Sequence, residues 1–285
     1  MNTNVSSSLI HFTNKFEYLQ GIIKNGFRFS YCKEEYPKAL VFNMKNYGKS
    51  HFVPHNYHFD KSGSQYDAVL IPMVSFCDIP LTRSGMHMQK YGFYGVGIDR
   101  ELARSIYPQL MPVQYMSSER FRLALNEISM IFAESKNINK QITDSLKLMI
   151  GTTKVYSTLR KKENVLCYEE REWRVIHSDD EETYWGWGLK DKRTKEAYNN
   201  RLHSNSDLAY LSFIVVEDSE GAKIVEENIN KLITHILVQS EEEIPIIAEF
   251  IMDQNNTIFG YALSKDCRLL LISKLNSFER LSKDY

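Results

Sequence analysis

Apolar and polar positions alternate along the chain with two different periods, which predicts both strands and helices. Residues 9–13 predict a short strand of mixed apolar and polar character. The apolar positions that follow recur at helical spacing: Phe16, Leu19, Ile22 and Ile23. Thr13 or Asn14 is expected to cap this first helix at its start, and Gly26 is expected to end it.

The rest of the chain continues the mixture. Apolar runs predict strands at 27–31, 68–76, 91–98, 112–115, 168–177, 208–216 and 234–238, with closing strands at 258–271. Helical spacing predicts helices at 222–232 and 241–252 and a long helical region at 118–162, whereas residues 43–66 predict a loop. No linker or repeat divides these elements, so we predict a single α+β domain over residues 1–285 with a mixed or antiparallel sheet core. It carries a helical insertion at about 118–162 and a C-terminal extension at about 205–285.

The composition of the chain limits the classes of protein to which it can belong. A chain of 285 residues with 43% hydrophobic and 25% charged residues has ordinary globular proportions and can bury a full core. The net charge of −1 gives no long-range attraction to nucleic acid or to an anionic membrane, which makes a nonspecific DNA-binding scaffold a poor fit. No apolar run is long enough for a membrane span, and the polar N-terminus lacks a signal core. We therefore expect a cytoplasmic protein with no membrane contact.

Cysteine and histidine spacing gives no metal signature. The four cysteines are Cys32, Cys77, Cys167 and Cys267, which are far apart and suit a reducing compartment. Three histidines at 51, 55 and 58 have spacings seen in helical metal sites, but Pro54 disfavours a helix there. We expect no metal ion.

The segment Glu170–Val175, with sequence EREWRV, carries the strongest chemical signal. Because side chains alternate along a strand, Glu170, Glu172 and Arg174 are predicted to share one face. A purely structural strand rarely places Glu, Glu and Arg on one side without a partner for each. We expect this face to form one polar cleft with the segments around His11 and Ser75.

Four segments resemble the AbiGi-like family of abortive-infection phage-resistance proteins. They are IHFTNKFEYLQGIIKNGF at 10–27, VSFCDIPLTRSGMHMQKYGFYGVGIDRE at 74–101, MPVQY at 111–115 and EEREWRV at 169–175. The resemblance covers roughly the first 180 residues and is most specific in the second segment. The family is usually described as the antitoxin-like half of a defence pair, which implies a cognate toxin or antitoxin, or a phage component, as partner.

A more remote resemblance concerns ADP-ribosyltransferases of the DarT type. The order is similar: an H-x-T strand, a helix, an aromatic-rich middle and a late strand with a Glu. This resemblance implies an ADP-ribosyltransferase-like fold, NAD as substrate, and a nucleic acid or host protein as the modified target. It implies a catalytic group and a cofactor-binding group of residues: Glu172, His11 and Arg174 for catalysis, and His11, Phe12, Thr13, Ser75, Tyr91, Tyr94 and Arg28 for NAD.

The residue types suit that chemistry. A carboxylate such as Glu172 stabilises an oxocarbenium-like centre and can act as a general base. An arginine, either Arg174 or Arg28, can grip a pyrophosphate with two parallel hydrogen bonds. His11 and Thr13 would hold the ribose, and either Tyr91 or Tyr94 would stack on nicotinamide.

Simpler explanations of the same residues stay open. His11 can sit satisfied in the core, and Thr13 can be only a helix cap. Glu172 and Arg174 can form an ion pair on a solvated sheet face, which contributes roughly 0–1 kcal/mol. Two further functions remain beside the transferase: a non-catalytic antitoxin or phage-sensing binding protein, and a nuclease that uses His11, Glu172 and Arg174.

Overall fold

The computed structural model shows a mixed α/β protein. It describes residues 7–37, 52–53, 66–116, 124, 127, 145, 148–160, 163–177, 185–187, 196, 199–200, 203–204, 210–211 and 221–284. Most of the loop expected at 43–66, most of the helical insertion at 118–162, the three clustered histidines and most of the strand expected at 208–216 lie outside these residues. Within the expected loop, residues 52–53 are described and form a short strand.

The α-helices whose bounds are described are α1 (Phe16–Asn25), α2 (Gly85–Tyr91), α3 (Arg100–Ile106), α4 (Gly221–Leu232), α5 (Glu243–Met252), α6 (Lys265–Ile272) and α7 (Phe278–Asp284). The strands of the N-terminal part are β1 (Ser8–Thr13), β2 (Phe27–Arg28), β3 (Ser30–Pro37), β4 (Phe52–Val53), β5 (Tyr66–Cys77), β6 (Tyr94–Asp99), β7 (Met111–Pro112) and β8 (Gln114–Met116). The later strands are β9 (Thr153–Val155), β10 (Ser157–Arg160), β11 (Glu163–Leu166), β12 (Glu172–Ile176), β13 (Trp185–Trp187), β14 (Tyr210–Leu211), β15 (Ile233–Val238) and β16 (Leu275–Ser277).

One mixed sheet of ten strands organises the molecule. Its main path runs β16-β15-β6-β1-β5-β12-β7, and β3 and β13 also pair with β5. The pairs β15–β16 and β13–β4 are parallel and the others are antiparallel. This agrees with the predicted α+β class. The C-terminal strands β15 and β16 belong to the same sheet as β1.

The two faces of the sheet differ in what covers them. On one face, residues of β1, β5, β6 and β12 pack against the helices in the main core, which includes Leu19, Ile23, Ile229, Ile247 and Leu271. The other face carries a small apolar cluster of Ile10, Leu237 and Phe278, beside a charged cavity. Alternation along each strand decides which residues reach the cavity.

Several local predictions were wrong. The helical region expected at 118–162 contains two strands near its end, β9 and β10. Helix α1 starts after Lys15, and no side chain caps it, so neither Thr13 nor Asn14 has that role. The strand expected at 168–177 begins only at Glu172, because Cys167–Glu170 form a 3-10 turn and Arg171 adopts a left-handed φ of 43°. The closing strands expected at 258–271 are replaced by α6, whose start is capped by the Ser264 hydroxyl accepting from the Cys267 N–H.

Candidate functional site

A cavity of about 320 Å³ lies on the second face of the sheet. Its base consists of side chains from β1, β3 and β5, and its rim includes the end of α2. The lining residues are Ile10, His11, Phe12, Cys32, Lys33, Glu34, Met73, Ser75, Cys77, Lys90, Tyr91, Lys154, Glu170 and Glu172.

Strand register places Glu172 on the cavity face. Ile10 of β1 lies opposite Cys77 of β5, and Cys77 lies opposite Glu172 of β12. Residues directly opposite each other on neighbouring strands project to the same side. The side chains of Ile10, Cys77 and Glu172 therefore share one face, and the residues adjacent to them in sequence project to the other.

Glu172 is the centre of a buried cluster of ion pairs. Its Oε1 accepts a hydrogen bond from Arg174 Nε at 2.8 Å, and its Oε2 accepts from Arg174 Nη2 and from Lys154 Nζ, both at 2.9 Å. Arg174 is fully buried and also donates to the Gly151 carbonyl and to Glu34. Each charge in this group has a partner, as buried charges require.

A short path of strands brings Lys154 to this cluster. β7 pairs with β12, and the Val113 N–H donates to the Glu172 carbonyl at 2.8 Å. The next strand, β8, pairs in parallel with β9, which carries Lys154. Lys154 is 8% exposed and bridges two carboxylates, with Nζ 2.6 Å from Glu170 Oε2.

Glu170 links the cluster to helix α2. Its Oε1 accepts a hydrogen bond from the Tyr91 hydroxyl at 2.8 Å and also pairs with Lys90. Both donors are the last residues of α2. The left-handed turn at Arg171 separates Glu170 from the strand, yet both Glu170 and Glu172 reach Lys154. The turn at Arg171 therefore places Glu170 at the α2 end of the cavity and Glu172 at the sheet.

Burial and charge oppose each other in the protonation of these groups. Burial by itself raises the pKa of Glu172, but Arg174 and Lys154 outweigh it and hold that pKa well below its ordinary value. Burial likewise raises the pKa of Glu170, and Lys154 brings it below its ordinary value. For Glu34, burial prevails over both cations and the pKa is raised.

The pKa values of the groups that donate hydrogen bonds to these carboxylates are also shifted. Burial lowers the pKa of Lys154, but Glu172 and Glu34 raise it above its ordinary value, so the ammonium keeps its proton. Burial and the neighbouring Glu170 raise the pKa of Tyr91, so its phenol remains a donor. Glu170, Glu172 and Lys154 therefore keep their charges near neutral pH.

Some of the residues predicted for the site line the cavity together. They are His11, Phe12, Ser75, Tyr91 and Glu172. The imidazole of His11 nevertheless belongs to the opposite face of the sheet, one position along β1 from Ile10. Its ring packs edge-on against Phe27 and Phe76, and its Nδ1 is 2.8 Å from the Ser75 carbonyl oxygen. Burial lowers the pKa of His11, which favours the neutral ring.

The other predicted residues do not line the cavity. Arg174 lies beneath it, wholly engaged by the ion pairs. Thr13 is at the end of β1, opposite Tyr94 in β6, on the main-core face. The Tyr94 hydroxyl donates to Glu243 at 2.7 Å, and burial together with that carboxylate raises its pKa to about 12. Arg28 is exposed in β2, which pairs with β14 apart from the main sheet. The prediction that all the candidate residues meet in one cleft was therefore wrong for these four.

Sequence reasoning missed Lys154, which pairs with Glu172, and Glu34, which pairs with Arg174. Lys154 and Glu34 come from segments 18 and 138 residues away from it along the chain. Lys154 stands in a predicted helical region, where it carried no signal. Glu34 does have one: it alternates with Cys32 along an extended segment, so it was predictable as an inward-facing charge in need of a partner.

Fold and site together define a mixed α/β protein with a buried charge cluster beside a cavity of small-molecule size. The family model described as "Putative abortive phage resistance protein AbiGi, antitoxin" matches residues 54–248. The chain belongs to this family, and so to the abortive-infection phage-resistance proteins. The match contains three of the four segments noted above and extends beyond residue 180, whereas the segment at 10–27 precedes it. Searches of curated proteins and of solved structures found no match.

The described residues also bear on membranes and metal ions. No helix among them is both long and apolar enough to span a bilayer. Within the same residues, His, Cys, Asp and Glu side chains form no group of three that could hold a metal ion.

Proposed function

We propose that this protein is the antitoxin of an abortive-infection pair, which binds a partner toxin and neutralises it without catalysing a reaction. The family description supports a toxin as partner. The observation that carries the non-catalytic part is the state of Glu172, whose two carboxylate oxygens are both occupied by buried cations.

The ion pairs around Glu172 are unfavourable for catalysis by this carboxylate. A general base is most effective when its pKa lies near the working pH and when it can reach the proton it abstracts. Arg174 and Lys154 hold the pKa of Glu172 low despite its burial, and they fill its hydrogen-bonding positions. The His11 imidazole lies on the other face of the sheet and does not assist it.

The test is growth of bacteria that express the chain alone, the toxin of the same defence pair alone, or both. An antitoxin leaves growth unchanged by itself and restores growth when the toxin is present. The matched variant is Tyr91→Phe, which removes a cavity hydroxyl and keeps the ring. It is expected to neutralise as well as the wild type. Toxicity of the chain when it is expressed alone contradicts the proposal.

A second candidate is an ADP-ribosyltransferase-like effector that uses NAD to modify a nucleic acid or a host protein. The cavity supports it, because Phe12, Ser75, Tyr91 and Glu172 all line the same space. This function requires Glu172 to leave Arg174 or Lys154 when NAD binds. Transfer of labelled ADP-ribose from NAD in lysate is its expected signature, and it should be lost in Tyr91→Ala, which removes the ring that would stack on nicotinamide, but kept in Tyr91→Phe. The nuclease hypothesis gains no support from the placement of His11.

A further inference from the structure

The outer side of helix α5 carries apolar side chains that no part of the described chain covers. Eight of its ten residues are apolar. Ile247 and Ile251 face the main core and are fully buried, whereas Ile246 is 52% exposed and Pro245 beside it is exposed as well. A helix that is apolar on all sides is normally covered on all sides. The apolar character of the outer side of α5 therefore indicates a partner.

Two carboxylates flank this apolar surface along the helix axis. Glu242 directly precedes α5 in helical conformation, and Glu249 lies about two turns further on, with Ile246 between them. This spacing places the three side chains on one helix face, and all three residues are exposed. Within the described part of the chain, neither carboxylate has an ion pair or a hydrogen bond from a side chain. We call these three residues the acidic α5 stripe.

The charge around the acidic α5 stripe has one sign. The chain contains no lysine or arginine between Leu232 and Lys265. Glu249 lies in the last turn of α5, where the negative end of the helix dipole opposes a carboxylate, and Asp253 follows it by four residues. Both effects destabilise this end of the helix. A cation placed beside Glu249 by a partner would compensate them.

The charge of the stripe decides which kind of partner fits it. Nucleic acid and anionic lipid carry negative charge, which Glu242 and Glu249 repel. A second copy of this chain that used the same surface would place like charges opposite each other, because a two-fold interface pairs each patch with itself. A protein surface with an apolar side chain between basic residues about 10 Å apart matches both Ile246 and the two carboxylates.

We propose that the acidic α5 stripe is the surface through which this chain binds its partner toxin, and that the toxin presents an apolar side chain flanked by lysine or arginine. This assignment rests on the antitoxin function proposed above and adds the place and the chemistry of the contact. Helix α5 packs on the main-core face of the sheet, opposite the cavity. Substitutions in the stripe therefore leave the buried ion pairs of Glu172 unchanged.

The experiment measures binding of the purified full-length chain to the toxin of the same defence pair, made by cell-free translation, in a surface-based kinetic assay. Ile246→Ala is expected to weaken binding at least about tenfold, because a central apolar anchor is lost. The matched control is Met86→Ala, which truncates a side chain of α2 that is 72% exposed. It should bind the toxin like the wild type.

Charge reversal tests the electrostatic part of the proposal. Glu249→Lys is expected to slow association at least about tenfold at low salt and to make the association rate less dependent on salt. The same variant should raise the melting temperature by about 1–3 °C, because a lysine suits the C-terminal end of a helix. A loss of binding is then not a loss of folding. Glu169→Lys reverses an exposed carboxylate outside α5 and is the control.

Three outcomes overturn the assignment, and they differ in what they leave standing. Wild-type affinity retained in Ile246→Ala or in Glu249→Lys removes the toxin from this surface and leaves the antitoxin function intact. Absence of toxin binding by the wild type, together with no rescue of growth, overturns the antitoxin function and the surface with it. Self-association of the chain that Ile246→Ala abolishes, while toxin binding persists, assigns the surface to a second copy.

Discussion

The Glu172 carboxylate and the Arg174 guanidinium form a bidentate pair within a single strand, with N–O distances of 2.8 and 2.9 Å. Both side chains are buried, at 8% and 0% exposure. An exposed pair of this kind contributes little, but breaking a buried one leaves an uncompensated charge in the interior. The pair therefore matters for stability whatever the ligand or partner.

Replacing Glu172 by Gln is expected to destabilise the protein by on the order of 3–5 kcal/mol, because Arg174 and Lys154 then remain buried without their shared carboxylate. Urea unfolding followed by circular dichroism measures this. The matched control is Glu169→Gln, three positions earlier and exposed, which should change the free energy of unfolding by less than about 0.5 kcal/mol. Equal effects in the two variants would refute a structural role for the cluster.

Stability is expected to fall in acid. The folded-state pKa values of Glu170 and Glu172 are lowered, since the nearby cations outweigh burial, so these groups contribute full stability above the ordinary value of 4.5. That contribution is lost as the pH falls below 4.5. Glu34, whose pKa burial raises, acts in the opposite direction and does not add to the acid loss.

The measurement is the free energy of unfolding at several pH values between 7 and 3. The wild type should lose stability steeply over the acid part of that range, and Glu172→Gln should show a shallower slope because one of the titrating groups is gone. Glu169→Gln should follow the wild-type curve. A slope that does not depend on Glu172 would place the acid sensitivity elsewhere.

The sequence predicted this pair but not its setting. Alternation along a strand depends only on local geometry, so the shared face of Glu172 and Arg174 followed directly from the sequence. Which face of the sheet His11 uses depends on the register between β1 and β5, a long-range property that local pattern does not contain. Lys154 and Glu34 were missed for the same reason.

The elements of the fold were likewise predicted correctly in some places and wrongly in others. Long, periodic segments such as α1, α4 and α5 were predicted from apolar spacing and are confirmed. Helix α6 was mistaken for strands, because its apolar run Leu269–Ile272 is short and carries no clear period. Ser264, which caps α6, was the local signal that could have identified it.

Replacing Ser264 by Ala should destabilise the protein by about 1 kcal/mol, the usual effect of losing an N-cap. Its hydroxyl accepts from the Cys267 N–H at 3.3 Å and donates to Glu226 at 2.7 Å, which ties α6 to α4. Thermal unfolding measures the change. Ser282→Ala, at an exposed position of α7, is the control and should have a smaller effect.

Gly92 is expected to tolerate no side chain. It has a φ of 117°, and a Cβ there would lie 2.1 Å from the Thr13 carbonyl oxygen, where backbone must move. Gly92→Ala should therefore cost more than about 1 kcal/mol. Gly21→Ala is the matched control, because nothing lies within 4 Å of its Cβ inside α1, and it should stabilise the protein by up to about 1 kcal/mol. Calorimetric melting temperatures of both variants decide the point.

The place of β15 between β6 and β16 has a consequence for synthesis on the ribosome. β6 can pair with β1 once residue 99 has left the ribosome, but its other edge has no partner strand until residues 233–237 follow. Until they emerge, that edge presents unpaired N–H and C=O groups to any neighbouring chain. A nascent chain stalled in this interval is therefore the form most exposed to aggregation and most in need of a chaperone.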